Sequence, residues 1–417
     1  MSDAGAGPDA QTPGLFEAFG VELEYMLVDR DTLDVRPIAD RVLSAANGGE
    51  LTDEVERGPA AWSNELVLHV LEFKTSAPAP SLAPLADLFH QQVVDANALA
   101  ANLNARLMPT AMHPWMDPDT QTRLWPHGNA EIYGTFNRIF DCRGHGWSNL
   151  QSVHLNLPWR GDEQFGRLHA AIRLLLPILP ALAASSPIVE GRAAPCCDYR
   201  MEVYRGNARA VPAVSGLVVP EPAFTTADYQ RLILDRIYAD MAPHDPAGIL
   251  RYEWCNARGA IARFMRNTIE VRVLDVQEHP AADLAIVDLI VRVLREMVSE
   301  RWCDLHRQQG FATESLARVF LATVQDAEQA VIADRDYLAA LGMHRGEATV
   351  HEVWRSLAQQ VTPTHAASAP ALEVILHHGP LARRILRRLG GNVARPRLDT
   401  LYRELCDCLA ENRPFLA

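Results

Sequence analysis

Apolar and polar side chains alternate along FGVELEYMLVD (residues 19–29): Val21, Leu23 and Tyr25 fall on one side of an extended chain, Glu22 and Glu24 on the other. Successive residues of a strand point to opposite faces, so this segment is predicted to be a strand, closed by the turn-prone DRDTLD. NELVLHVLEFKTSAPAP (64–80) reads as a second strand ended by prolines. Leu85, Leu88, Phe89, Val93 and Ala96 then recur at helical spacing and predict a helix from about Leu82 to Leu107. LMPTAMHPW returns the chain to extended structure, and a Gly/Pro/Asn-rich stretch runs to about Asn149. It is too long for an idle connection and is expected to carry ligand contacts, with His113, His127 and His145 as candidates and Trp115, Trp125 and Trp147 as a pocket wall or simple packing.

LQSVHLNLPW (150–159) is another alternating strand, followed by a helix interrupted near Pro177 and Pro180. A loop-rich segment (187–223) and a helix near 226–241 precede RYEWCNARGAIARFMRNTIEVRVLDVQ, which reads as a hairpin and a long strand. From Ala281 onward the pattern is nearly all helical. The expected fold class is α+β, with an antiparallel sheet open to a ligand on one face.

One design repeats on four strands. Besides the Glu22/Glu24 doublet, Glu72 and Lys74 oppose Leu71 and Phe73, His154 and Asn156 oppose Val153, Leu155 and Leu157, and Glu270 and Arg272 oppose Ile269, Val271 and Val273. By the same count Asp275 falls on the apolar side and is left out. Half-exposed strands of ordinary sheets look alike, but glutamate is depleted in strands and here occupies three of the four. Carboxylates converging on one face repel unless cations sit between them. Oxygen ligands with one imidazole suit Mg²⁺ or Mn²⁺. Arg272 points to an anion beside those ions, and Arg200, Arg205, Arg258 and Arg263 lie near in sequence, a set that fits phosphoryl transfer.

Composition narrows the classes. With 48% hydrophobic and 22% charged residues the chain is that of a folded protein, and its net charge of −13 disfavours a nucleic-acid binder. No apolar run approaches the roughly 18–20 residues of a membrane span, MSDAGAGPDAQTPG lacks signal-peptide features, and a cytoplasmic location is expected. The seven cysteines lack CxxC spacing and read as reduced. No Ser-His-Asp, Cys-His or GxxxxGK[ST] motif is present.

FGVELEYMLVD, ELVLHVLEFKT, SVHLNLP, AASSPIVEGR with DYR, and ARGAIARFMRNTIEVRVLDVQEHPAADLAI, in this order over residues 16–300, resemble the glutamate-cysteine ligase type 2, or carboxylate-amine ligase, family. The resemblance implies a glutamine-synthetase-like fold: a curved antiparallel sheet with helices on its outer face and a mainly helical C-terminal part. It implies ATP as co-substrate, two or three Mg²⁺ ions, and small carboxylate or amino-acid and amine substrates. The metal carboxylates fall onto Glu22, Glu24, Glu72 and Glu270, with Glu65 a further one that requires a turn or bulge before Glu72. His154 falls near metal and phosphate, Arg272 on the transferred phosphate, and Arg200 on a substrate-binding loop; Asn156, Lys74, Arg205, Arg258 and Arg263 complete the expected ATP and substrate contacts. The implied reaction forms an acyl phosphate from ATP and a carboxylate, then an amide.

The expected organisation is a leader (1–14), a catalytic region (15–300) and a helical part packed on it (301–417), with a homo-oligomer left open. Segments 108–149 and 187–223 depart from the family's substrate loops, so glutamate and cysteine are not fixed as substrates. The rival classes are a metal-dependent amide hydrolase, which has no need of the arginines, and a catalytically silent binding relative, which has no need of clustered carboxylates.

Overall fold

Eight strands make the central sheet of the computed structural model, which describes residues 12–361 and 368–417. The expected leader, residues 1–14, lies outside these residues except for its last three positions. The strands are β1 (Gly20–Asp29), β2 (Glu54–Arg57), β3 (Ala60–Asn64), β4 (Val70–Thr75), β5 (Ala105–Met108), β6 (Ser152–Pro158), β7 (Ala260–Arg263) and β8 (Thr268–Asp275). They run in the order β2-β3-β4-β1-β6-β8-β7, every neighbour antiparallel, and β5 pairs with the C-terminal half of β1. The α+β class and the antiparallel sheet are as the alternation predicts.

The apolar sides of the four doublet strands are buried together. Val21, Leu23, Leu71, Phe73, Leu155 and Val271 share one core with α1 (Leu85–Ala101), α4 (Gly161–Leu175) and α6 (Pro280–Val298), through residues such as Phe89, Phe165 and Ile290. Helices thus cover one face, and the doublets occupy the other. The last two helices, α7 (Leu381–Leu389) and α8 (Arg395–Glu411), form a second cluster with Met26, Val28 and Met108 at the far end of β1 and β5.

Several boundaries differ from the pattern, each for a local reason. The first long helix stops at Ala101, and Asn104, with φ +52°, turns the chain back so that Leu107 pairs with Leu27 in β5 instead of continuing the helix. The segment 64–80 is two strands' worth of chain: β3 ends at Asn64, a crossing loop follows, and β4 starts at Val70, with β2 and β3 joined through Gly58 at φ +72°. The long stretch before Asn149 contains α2 (Ala130–Phe140) and α3 (His145–Ser148), where Ile132, Phe136, Ile139 and Phe140 have helical spacing that the surrounding glycines obscure. The 187–223 segment carries α5 (Tyr199–Tyr204), capped by the Asp198 side chain on the Met201 amide.

One irregularity matters for the site. Val271 pairs with Leu155 but Leu274 pairs with Val153, so Arg272 and Val273 together oppose His154 in a β-bulge. The extra residue reverses the facing rule beyond it. Asp275 therefore lies opposite Ser152, on the side of the doublets, and its assignment to the apolar side is corrected.

Candidate active site

Register brings the doublets into contact. Glu22 lies between Lys74 of β4 and His154 of β6, Glu24 pairs with Glu72, and Glu270 with Asn156. His154 Nδ1 is 2.8 Å from Glu22 Oε2, and Asn156 Nδ2 donates to Glu22 Oε1 at 3.2 Å. Glu24 Oε2 accepts from the Ser152 amide at 2.7 Å and the Ser152 hydroxyl at 2.9 Å, while Ser63 donates to Glu72 at 2.6 Å. Glu65 follows the last residue of β3, and the crossing loop before β4 is the interruption that its spacing requires.

Two overlapping groups could each grip a cation. One ligand atom from each of Glu22, Glu72 and His154 lies within 4.8 Å of the others, and the same holds for Glu24, Glu65 and Glu72. Five of the six expected metal ligands are in these groups. Their electrostatics is that of a site short of positive charge. Burial, reinforced by the charges of Glu24 and Glu72, pushes the Glu65 carboxyl well above its usual range. Burial and the neighbouring Glu22 push Glu72 up to about 7, against the pull of Lys74. Burial opposes the charged form of His154, yet the hydrogen bond to Glu22 and the charges of Glu24 and Glu22 raise its pKa to about 9. Burial likewise opposes ionisation of Glu22, but His154 and the nearby Arg266 hold it below the usual range. The hard oxygen donors and the unrelieved repulsion fit a divalent cation such as Mg²⁺ or Mn²⁺.

Glu270, the sixth expected ligand, is placed differently. Arg263 Nη1 donates to its Oε2 at 2.6 Å and Arg272 Nε to its Oε1 at 3.1 Å, so both oxygens are held by guanidinium groups. Burial works against its charge, but Arg272, His154 and Arg263 prevail and lower its pKa strongly. It is outside both cation groups and holds the two arginines. Lys74 bridges Glu54 at 2.6 Å and Glu72 at 3.5 Å.

Arg200 is buried and sits on α5, a helix where a loop was expected. Its Nε binds Asp275 Oδ1, and Asp275 Oδ2 is fixed by the Ser185 amide at 2.8 Å and the Ser186 hydroxyl at 2.9 Å. Its Nη2 is buried without a partner among the described residues. The other two expected arginines are elsewhere. Arg258 is buried, with Nη2 on Glu221 at 2.7 Å and Nη1 on the Ala213 carbonyl at 3.1 Å; it ties the 213–221 segment to the sheet and lines neither cavity described below. Arg205 is exposed and pairs with Glu202 one helical turn away.

Two cavities flank the cation groups. One, of about 220 Å³, contains Glu24, Glu65, His154, Arg200 and Arg272. The other, of about 420 Å³, contains Glu22, Lys74, Asn156 and Arg266 beside Ala18, Phe19 and Pro78. Of the loop candidates only Trp147 lines either; His113 bonds the Leu33 carbonyl in the interior, His127 meets Asp40, His145 meets Glu190, Trp125 is core, and Trp115 packs under Arg395. Sequence reasoning missed Ser152, which shares a face with His154 by the same rule of two. It also missed Arg266, 3.7 Å from Glu22 in the β7–β8 turn, and Asp275, hidden by the bulge.

Among the described residues no helix is long and apolar enough to cross a membrane, and all seven cysteines are free and buried. An uncharacterized protein of Archaeoglobus fulgidus is 28% identical over 95% of this chain and 100% of its own length. A Nocardioides protein that bears the provisional name of glutamate–cysteine ligase 2-1 is 30% identical over 71% of this chain and 72% of its own. The crystal structure of the glutamate–cysteine ligase of Francisella tularensis in complex with AMP shares the fold with a TM-score of 0.54 at 14% identity, over 93% of this chain and 88% of that one. The profile of glutamate-cysteine ligase family 2 matches residues 18–404, and the chain belongs to that ligase family.

Proposed function

We propose that this protein is an ATP- and Mg²⁺-dependent carboxylate-amine ligase that forms an amide, or a γ-glutamyl-type bond, through an acyl phosphate. The observation that carries the reading is the cation-deficient carboxylate cluster with a cavity on either side that presents two cationic side chains, Arg200 and Arg272 in one and Lys74 and Arg266 in the other. The larger cavity has the size and the apolar surface, at Phe19 and Pro78, for a nucleotide base, with Lys74 and Arg266 beside its phosphates. The AMP of the Francisella neighbour supports nucleotide binding on this fold. The smaller cavity would take the carboxylate, with Arg272 near the transferred phosphoryl group and Arg200 offering its free Nη2.

Glu22, Glu24, Glu65, Glu72 and His154 would hold the ions, which when bound withdraw charge from the phosphates. Ser152 and Ser63 fix Glu24 and Glu72 in position. Glu270 aims Arg272 and limits its freedom, so that the guanidinium is already oriented when charge moves onto the phosphoryl oxygens. A carboxylate oxygen attacks the γ-phosphorus of ATP and ADP leaves; an amine then attacks the acyl carbon and phosphate leaves with formation of the amide. Glutamate and cysteine are the substrate pair that the family name offers.

Incubation with ATP, Mg²⁺ and pools of carboxylates and amines should release ADP and phosphate, with an amide product by mass detection. Hydroxylamine should trap the acyl phosphate as a hydroxamate. Absence of ADP release in every pool, or amide hydrolysis that proceeds without ATP, would refute the ligase reading.

A further inference from the structure

Resting on that ligase reading, we propose that the smaller cavity is built for a carboxylic acid whose remaining body is aromatic, so that the substrate held there is an aryl or arylalkyl acid or an aromatic amino acid. Its lining combines two chemistries besides Glu24, Glu65 and His154 of the cation groups. One part of the lining is the guanidinium of Arg272 and the partnerless Nη2 of Arg200, a donor held in place by Asp275 and in need of an anion. Another part is Phe136, Trp147 and Trp254, with Leu66, Val67 and Leu150.

The three aromatic rings form one surface. Phe136 lies 5.5 Å from Trp147 and 5.8 Å from Trp254, centroid to centroid, in tilted arrangements. All three are only partly buried, unlike Trp62 and Trp125 of the core, and line the cavity, while Phe140 stacks on Trp147 at 5.4 Å and Tyr252 on Trp254 at 5.6 Å to back the wall. They come from three separate segments, α2, α3 and the turn before β7, which converge on this wall. A glutamate side by side with a cysteine would leave such a wall facing polar groups, whereas an aromatic ring would desolvate against it. A volume of about 220 Å³ holds one molecule of the size of an aromatic amino acid.

The test titrates the full-length protein with 3-phenylpropionate, phenylalanine, glutamate and cysteine in the presence of Mg²⁺ and a non-hydrolysable ATP analogue. Quenching of Trp147 and Trp254 fluorescence and calorimetry are the readouts, and ADP release is assayed in parallel with each compound alone and in pairs. Binding of the aromatic acids at least tenfold tighter than of glutamate or cysteine is expected, and Phe136→Ala should remove that preference while thermal unfolding remains cooperative. If the amino group of phenylalanine is consumed, the aromatic substrate is the attacking amine; if 3-phenylpropionate is activated, it is the acyl donor, and either supports the inference. Equal or tighter binding of glutamate or cysteine overturns it, even where ADP release upholds the ligase. Tight aromatic binding without ADP release in any pair upholds the cavity, and the ligase reading is then refuted only if the aromatic acids also release no ADP with every pool of amines.

Discussion

Glu278 and Glu72 are both carboxylates removed from water, at 1% and 7% exposure, but their surroundings are opposites. Glu278 accepts from Arg384 Nη2 at 3.1 Å and from the Phe415 amide at 3.2 Å, and Arg384 Nη1 also holds the Phe415 carbonyl at 2.7 Å. Against the cost of burial, Arg384 keeps the Glu278 carboxyl below its usual range. Glu72 shares one lysine with Glu54 and faces Glu22 and Glu24, and its carboxyl is pushed up instead. A matched pair fastens the C-terminal segment to the end of β8; the cluster is unmatched. Under the proposed function the difference separates charges that serve the fold from charges that serve a reaction.

The largest effect should come from breaking the matched pair. Arg384→Ala strands Glu278 in the interior and is expected to lower the unfolding free energy by about 3–5 kcal/mol in urea titrations. Replacing both partners with apolar residues, Arg384→Met with Glu278→Leu, should recover most of that loss. A single-variant loss under about 1 kcal/mol would mean that the two regions do not differ as described.

In the cluster the sign reverses. Glu72→Gln keeps an acceptor for Ser63 but removes one of the repelling charges. It should raise the unfolding free energy by about 1–3 kcal/mol above pH 7 without divalent ions, while turnover falls by about 10²–10³-fold. A destabilised variant with full turnover would overturn the assignment of Glu72 to the cation groups.

A third outcome concerns pH. Because the folded-state pKa of Glu72, about 7, exceeds the ordinary carboxylate value of 4.5, the folded protein holds more protons than the unfolded one between these limits. The Glu72 contribution to stability in chelator, read as the difference between wild type and Glu72→Gln, should therefore decline as pH rises from about 4.5 through 7, by a few kcal/mol at most, and then level off, while His154, raised to about 9, extends the decline of the whole protein to higher pH. Mg²⁺ should reverse the decline, raising the melting temperature more at pH 8 than at pH 5, since binding competes with protons. A melting temperature insensitive to Mg²⁺ at pH 8 would argue against any cation between these carboxylates.

How far the sequence carries depends on whether period two survives. On β1, β4 and β6 it does, and Glu22, Glu24, Glu72, His154 and Asn156 were legible as one polar face before any coordinate was known. On β8 the bulge breaks the count, so Asp275, which holds Arg200, was assigned to the wrong side. Glu270 shows a second limit. Its face was readable, but its partner was not, because Arg263 comes from the opposing strand of a hairpin and reaches the carboxylate first. Asn104 ends the first long helix early, since one residue in a left-handed conformation redirects a pattern that still looks helical, and the loop between Asn64 and Val70 divides a segment that reads as one strand.

Arginine is where composition misleads most, and it provides the smallest expected effect. Arg205 and Arg200 are five residues apart in DYRMEVYRGN and equally plausible as anion ligands by sequence. They face different environments: Arg200, on α5, is 2% exposed and lines the cavity, whereas the side chain of Arg205, the residue after α5, is 47% exposed and closes on Glu202 at 2.6 Å. An exposed pair at this spacing contributes only a few tenths of a kcal/mol. Arg205→Ala should therefore change the unfolding free energy by less than about 0.5 kcal/mol and leave the KM values for ATP and carboxylate within a factor of about two. Arg200→Lys retains the charge but loses the forked geometry that reaches both Asp275 and a ligand, and it should raise the carboxylate KM with little change in that for ATP. A large rise in the ATP KM from Arg205→Ala would relocate the nucleotide to the α5 side and exchange the roles of the two cavities.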